Sequence, residues 1–170
     1  MEKRKETTFK GNEITLLGHK VKEGEKAPEF VCLDRELNEV KLSDYKGMIK
    51  LISSVPSVDT GVCEMQTIRF NQEAGDLDNT IVLTISCDLP FALNRFCANK
   101  GIENCKTISD HKALDFGLKY GFAIEELRLL NRGIVVIDKD DNIAYVEYVK
   151  ENTTHPDYTK ALEVVRSLNK

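Results

Sequence analysis

The stretch Met48-Ile-Lys-Leu-Ile-Ser-Ser-Val55-Pro56-Ser57-Val58-Asp59-Thr60-Gly61-Val62-Cys63 decides how the chain is read. Residues 48–55 are an apolar, β-branched run of strand length that ends at Pro56, where a ladder donor is lost. This is the natural central strand. After Pro56 the period changes. Asp59 or Thr60 can cap a helix reaching to about Leu77, in which Phe70, Ala74 and Leu77 share one stripe at 3.6-residue spacing, with Cys63 at its head.

Outward from this segment, strands and helices alternate. On the N-terminal side, Thr7 to Lys10 and Ile14 to Leu17 flank the Gly11-Asn12-Glu13 turn and predict a hairpin, with a second at Phe30 to Leu33 and Val40 to Leu42. On the C-terminal side the pattern predicts strands at Ile81 to Ser86, Cys105 to Ile108, Gly133 to Ile137 and Ile143 to Val149. It predicts helices at Pro90 to Lys100, Lys112 to Tyr120 and Tyr158 to Leu168. That order implies an α/β fold: a central mixed β-sheet with helices on both faces and an N-terminal β-hairpin. No repeat or linker divides the chain, so residues 1–170 are expected to form one domain.

Composition narrows the function. A net charge of −4 with both signs mixed along the chain offers no basic stripe for a phosphate backbone, so nucleic acid is not an expected partner. The charged start Met1-Glu-Lys-Arg-Lys-Glu resembles no secretory signal, and no run is long and apolar enough to span a membrane; a cytoplasmic location is expected. There, five cysteines, an odd number, do not read as a structural disulfide framework.

Cys63 is the candidate nucleophile. A thiol attacks as its thiolate, and the first turn of a helix favours that anion through unpaired N–H groups and the positive end of the dipole. Thr60, three residues earlier, can cap the helix or turn its hydroxyl to a thiolate or a peroxide oxygen; Pro56 can shield the sulfur from water. Alternatively, Cys63 is a small buried residue on a core-facing stripe with an ordinary Thr cap.

The string Pro56-Ser-Val-Asp-Thr-Gly-Val-Cys63 contains P-x-x-x-T-x-x-C and resembles the signature of the peroxiredoxin superfamily, in the form of its thiol peroxidase branch. The likeness extends to Leu83-Thr-Ile-Ser, Asp88-Leu-Pro-Phe-Ala, Arg95-Phe-Cys97, Gly101-Ile-Glu-Asn, Glu126-Leu-Arg-Leu-Leu-Asn-Arg132, Val136-Ile-Asp-Lys and Pro156-Asp-Tyr, nearly the whole chain. Two places depart from it: Gly61, where many members carry Pro, and the Asn131-Arg-Gly133 setting, where Ala commonly flanks the arginine. The resemblance implies a thioredoxin-like fold and an atypical two-cysteine peroxidase. Cys63 would be the peroxidatic residue, Arg132 would reach back to its sulfur, and Cys97 would resolve the sulfenic acid as a Cys63–Cys97 disulfide. It also implies hydrogen peroxide and organic hydroperoxides as substrates, thioredoxin as reductant and a homodimer.

Helix position agrees with this division, since Cys63 lies at a positive helix start and Cys97 near a negative helix end. A disulfide needs Cα atoms within about 7 Å, so local unwinding around Cys63 or Cys97 is expected during turnover. Cys32, Cys87 and Cys105 read as packing, with Cys87 and Cys105 the fallback resolving partners, and Arg128 as structural. No C-x-x-C supports a disulfide reductase, the scattered His19, His111 and His155 support no zinc site, and no Gly-rich motif supports a nucleotide cofactor. Ser109-Asp110-His111 reads as a polar helix cap rather than a hydrolase triad. The expected redox chemistry therefore needs no cofactor beyond cysteine. A non-enzymatic redox sensor or chaperone, and a one-cysteine peroxidase resolved by an external thiol, are the competing readings.

Overall fold

The computed structural model describes residues Met1–Lys170. The apolar run that opens the sequence reading becomes strand β5 (Ile49–Ser54), buried along its whole length. It pairs parallel with β6 (Thr80–Ser86) and antiparallel with β9 (Gly133–Ile137). These strands anchor a seven-stranded mixed sheet in the order β10-β9-β5-β6-β7-β3-β4. The remaining members are β3 (Val31–Leu33), β4 (Glu39–Lys41), β7 (Lys106–Ser109) and β10 (Ile143–Tyr148).

Period-two alternation divides the core between the two faces of this sheet. Ile52, Leu83, Ile85, Val135 and Ile137 join Phe30, Phe116 and Tyr120 in one apolar cluster. Leu51, Val82, Ile134 and Val136 join Cys63, Phe70, Leu93, Cys97 and Leu162 in the other. Helix α3 (Asp115–Tyr120) contributes to the first cluster, while α1 (Gly61–Ala74), α2 (Pro90–Lys100) and α4 (Tyr158–Leu168) contribute to the second. Helices therefore cover both faces, as the sequence predicts. Lys50, the one charge inside β5, is fully buried and meets the cost by an ion pair with Asp141.

The N-terminal hairpin is longer than its apolar pattern suggests. Strand β1 (Lys3–Phe9) begins among charged residues and turns at Lys10–Gly11, both at positive φ, into β2 (Asn12–Leu17). A short β8 (Ala123–Ile124), absent from the sequence reading, completes a three-stranded sheet of its own.

Most boundaries differ from expectation by one to three residues. Helix α1 stops at Ala74 rather than Leu77, and β7 begins one residue after Cys105. Helix α3 starts at Asp115 rather than Lys112, because the Asp110 carboxylate draws in the N–H groups of Phe116 and Gly117 while Leu114 turns through φ +51°. The expected polar cap is thus real, but it works from four residues before the N-cap. No helix is long and apolar enough to cross a membrane.

Candidate active site

Strand β5 ends in two buried serines, and the chain then passes through buried Pro56 into a loop leading to α1. Asp88, just after β6, holds that loop. Its carboxylate accepts from Ser57 Oγ at 2.7 Å, the Val58 N–H at 2.9 Å and Ser86 Oγ at 2.7 Å. With the loop fixed, Thr60 becomes the N-cap and Cys63 the third residue of α1. Gly61, at the position where many relatives of the resembled branch carry Pro, has open space around its Cα.

The Thr60 hydroxyl takes neither of its expected partners. It donates to the Ser57 carbonyl at 3.2 Å and bonds neither the helix N–H groups nor the sulfur. The first-turn N–H groups, Cys63's among them, are left without a side-chain cap.

The Cys63 side chain is fully buried. Arg132 reaches it from the residue before β9, with Nη2 donating to Sγ at 3.0 Å. The same guanidinium donates through Nη1 to Gln66 Oε1 at 2.9 Å and through Nε to the Asn152 carbonyl at 3.0 Å. Arg132 is itself only 2% exposed, and its acceptors are an amide, a backbone carbonyl and a sulfur. None is a carboxylate. A buried cation is costly unless paired, and the one partner here able to carry a full negative charge is Cys63. Gln66, one helical turn beyond Cys63, is locked from below by donating Nε2 to Ser53 Oγ at 2.7 Å. A cleft of about 220 Å³ leads to this site, lined by Phe9 and Lys10 of the hairpin turn, by Thr60 and Val62, and by Arg132 and Asn152. This cleft reaches Arg132 though not the sulfur itself, whereas the larger cleft of about 650 Å³ beside β10 is lined by neither Arg132 nor Cys63.

A Redoxin family model matches residues 22–162. A thiol peroxidase of Halalkalibacterium halodurans is 58% identical over 160 residues, covering 94% of this chain and 96% of that one. The chain belongs to the thiol peroxidases. The thiol peroxidase of Bacillus subtilis is 48% identical over 165 residues, covering 97% of this chain and 99% of that one. Among solved structures, a peroxiredoxin-like protein from Aquifex aeolicus superposes with a TM-score of 0.91 at 36% identity over 99% of both chains. The thiol peroxidase from Chromobacterium violaceum, at 19% identity and a TM-score of 0.84 over 95% of both chains, shares the fold. The mixed sheet with helices on both faces is thus the thioredoxin-like fold of this family.

Within this thiol peroxidase fold the other cysteines stand apart from the arginine. Cys97, on the last turns of α2, is 3% exposed; its sulfur meets Thr107 Oγ1 at 3.2 Å, and it shares the apolar cluster that holds Cys63. All five thiols are free. Burial, with Asp110 beside it, pushes the Cys32 thiol far above its usual range. Burial pushes Cys87 and Cys105 up to about 12, against the help Cys105 receives from Thr84. Arg128 is exposed, at φ +51°, and closes a turn by donating its N–H to the Ile124 carbonyl at 2.9 Å.

The sequence reading left Asp88, Gln66 and Asn152 without a role. Gln66 carried a signal, as a polar residue three positions after Cys63 on the buried stripe. Asn152, in the polar run Glu151-Asn-Thr-Thr154, carried none.

Proposed function

We propose that this thiol peroxidase reduces hydroperoxides at Cys63, with Arg132 as its electrostatic partner. The observation that carries the reading is a buried guanidinium with no carboxylate partner, 3.0 Å from a buried sulfur on the first turn of a helix. The Cys63 thiolate attacks the terminal peroxide oxygen. An S–O bond forms as the O–O bond breaks, and the departing oxygen takes up a proton and leaves as water or alcohol. Arg132 and the uncapped first-turn N–H groups favour the thiolate and the negative charge that grows on the peroxide oxygens. Thr60, an exposed residue of the cleft lining, would shape the approach of the peroxide, and buried Pro56 would shield the sulfur from water.

The Cys63 sulfenic acid then condenses with the Cys97 thiol. Water is released and an intramolecular disulfide forms, which two thiols of a thioredoxin reduce. Because both sulfurs are buried and sit on separate helices, the first turn of α1 or the end of α2 unwinds to let them meet. The same reading has residues 1–170 acting as one domain, in the cytoplasm, as a homodimer, on hydrogen peroxide and organic hydroperoxides, without nucleic acid or a bound cofactor.

Intact-mass analysis and peptide mapping after one equivalent of peroxide test the scheme. The expected product is two hydrogens lighter and carries a Cys63–Cys97 link. A stable sulfenic acid on Cys63 would refute the resolving role of Cys97, and an untouched Cys63 would refute the whole reading.

A further inference from the structure

Arg132 is held from two sides. Cys63 and Gln66, both on α1, take its two terminal nitrogens. The opposite grip is a pair of buried primary amides, Asn131 at 0% and Asn152 at 1% exposure. Asn152 accepts the Arg132 backbone N–H on Oδ1 at 2.7 Å and the Arg132 Nε on its own carbonyl at 3.0 Å. Its Nδ2 donates to Asn131 Oδ1 at 2.7 Å and to the Thr8 carbonyl at 3.0 Å. Asn131 Nδ2 in turn donates to the Arg132 carbonyl at 2.9 Å and to the Val149 carbonyl at 3.2 Å. All four N–H donors and both amide oxygens of the pair are engaged. The orientation is also fixed, because a flipped Asn131 would turn its oxygen onto two carbonyl oxygens.

This network clamps Arg132 at its N–H, its carbonyl and its Nε, and none of these bonds ends on α1. The partners lie on β1 (Thr8), just after β10 (Val149) and in the loop beyond it (Asn152). Unwinding the first turn of α1 would therefore take Cys63 away from Nη2 while leaving Gln66 on Nη1 and the clamp intact. We infer that Asn131 and Asn152 are positioning residues for peroxide reduction, an amide pair that keeps the Arg132 guanidinium aimed at the sulfur's station while α1 moves. The inference rests on the reading of Cys63 and Arg132 given above.

The test compares wild type with Asn131→Ala, Asn152→Ala and the double variant, each reduced and checked for folding by urea denaturation. Two rates are measured on Cys63: oxidation by hydrogen peroxide in a single turnover, and alkylation by iodoacetamide. Alkylation needs the sulfur anion but no donors for a departing oxygen. Each single variant is expected to slow the peroxide step about tenfold, the kinetic equivalent of one well-placed hydrogen bond, while alkylation, which loses only the guanidinium's share in holding the anion and keeps the helix terminus, falls about threefold or less. The double variant should be no slower than the slower single, since the two amides act as one unit. If Asn152→Ala does not fold, Asn131→Ala makes the same comparison with both Asn152 bonds to Arg132 retained. Peroxide and alkylation rates falling in parallel, or a wild-type peroxide rate in the variants, would overturn the inference alone. A wild-type Cys63 that peroxide leaves unoxidised would overturn both it and the reading beneath it.

Discussion

Replacing Asp88 separates the support of the active-site loop from the chemistry it carries. Its carboxylate accepts three hydrogen bonds, from Ser57, Val58 and Ser86. Hydrogen bonds to a charged acceptor contribute about 1.5–3 kcal/mol each, the lower end applying to a half-buried group that water can partly replace. Three bonds at that lower end make the alanine variant cost about 4–5 kcal/mol, a fall in Tm of about 10–15 °C for a chain of this length. Asparagine should cost far less. Its oxygen can serve Val58 and Ser86, and its NH₂ can face Ser57, whose hydroxyl can accept as well as donate; about 1 kcal/mol for the lost charge remains. The rate should follow the same order, because the loop sets where α1 begins and a displacement of about 1 Å at a reacting group can cost up to about 100-fold. Asp88→Ala should slow Cys63 oxidation about 10–100-fold, and Asp88→Asn about threefold or less. Thermal melts and stopped-flow oxidation read the two effects. Equal Tm and equal rates for the two variants would refute the claim that this carboxylate anchors the loop.

Two further outcomes follow from the buried titratable groups. Iodoacetamide at pH 7–8, with peptide mapping, should leave Cys32, Cys87 and Cys105 unmodified while the protein is folded, since burial holds all three well above the usual thiol range. Rapid folded-state labelling of Cys87, the least buried of them, would contradict this. Asp110 gives a pH signature: burial lifts it from its ordinary 3.8 to about 6, against the N–H groups of Gly117 and Phe116. The folded state then holds a proton that the unfolded chain has released, so the contribution is fully present below about pH 4 and lost as pH rises through about 6, by at most about 3 kcal/mol. Urea midpoints of wild type minus Asp110→Asn should fall across that window, and a flat difference would refute it.

What the sequence revealed depended on whether a residue's role is local. Cys63 was readable because strand end, proline and helix start lie within eight residues, and the buried stripe gives the side to which its side chain points. β5, β6 and β9 announced themselves as apolar runs because both their faces are covered. Arg132 was different. Nothing in its neighbourhood separates it from Arg128, and only the family resemblance pointed it at the sulfur. Asn131 appeared only within the Asn131-Arg-Gly133 setting that departs from the family pattern, and Asn152 as one polar residue in a polar loop. Their meaning depends on a pairing across 21 residues that no local pattern records. The charged residues that open β1 hid the first half of that strand for the same reason, since its partners, not its composition, define it. Thr60 erred in the opposite sense: the local rule for an N-cap threonine was sound, but the Ser57 carbonyl lies within reach and takes the hydroxyl.

The sequence separations inside the amide network also bear on how the protein is born. Cys63 leaves the ribosome 69 residues ahead of Arg132, and the Asn152 amide that steadies the arginine pairs with Thr8, 144 residues upstream. Translation thus delivers the thiol well before the guanidinium that meets it, and the clamp closes only once Asn152 is out. On the reading proposed here, a nascent or truncated chain presents an ordinary cysteine. Peroxidase reactivity is acquired only once Asn152 has been made, so the sulfur is not primed for oxidation while the chain still has no fold to protect it.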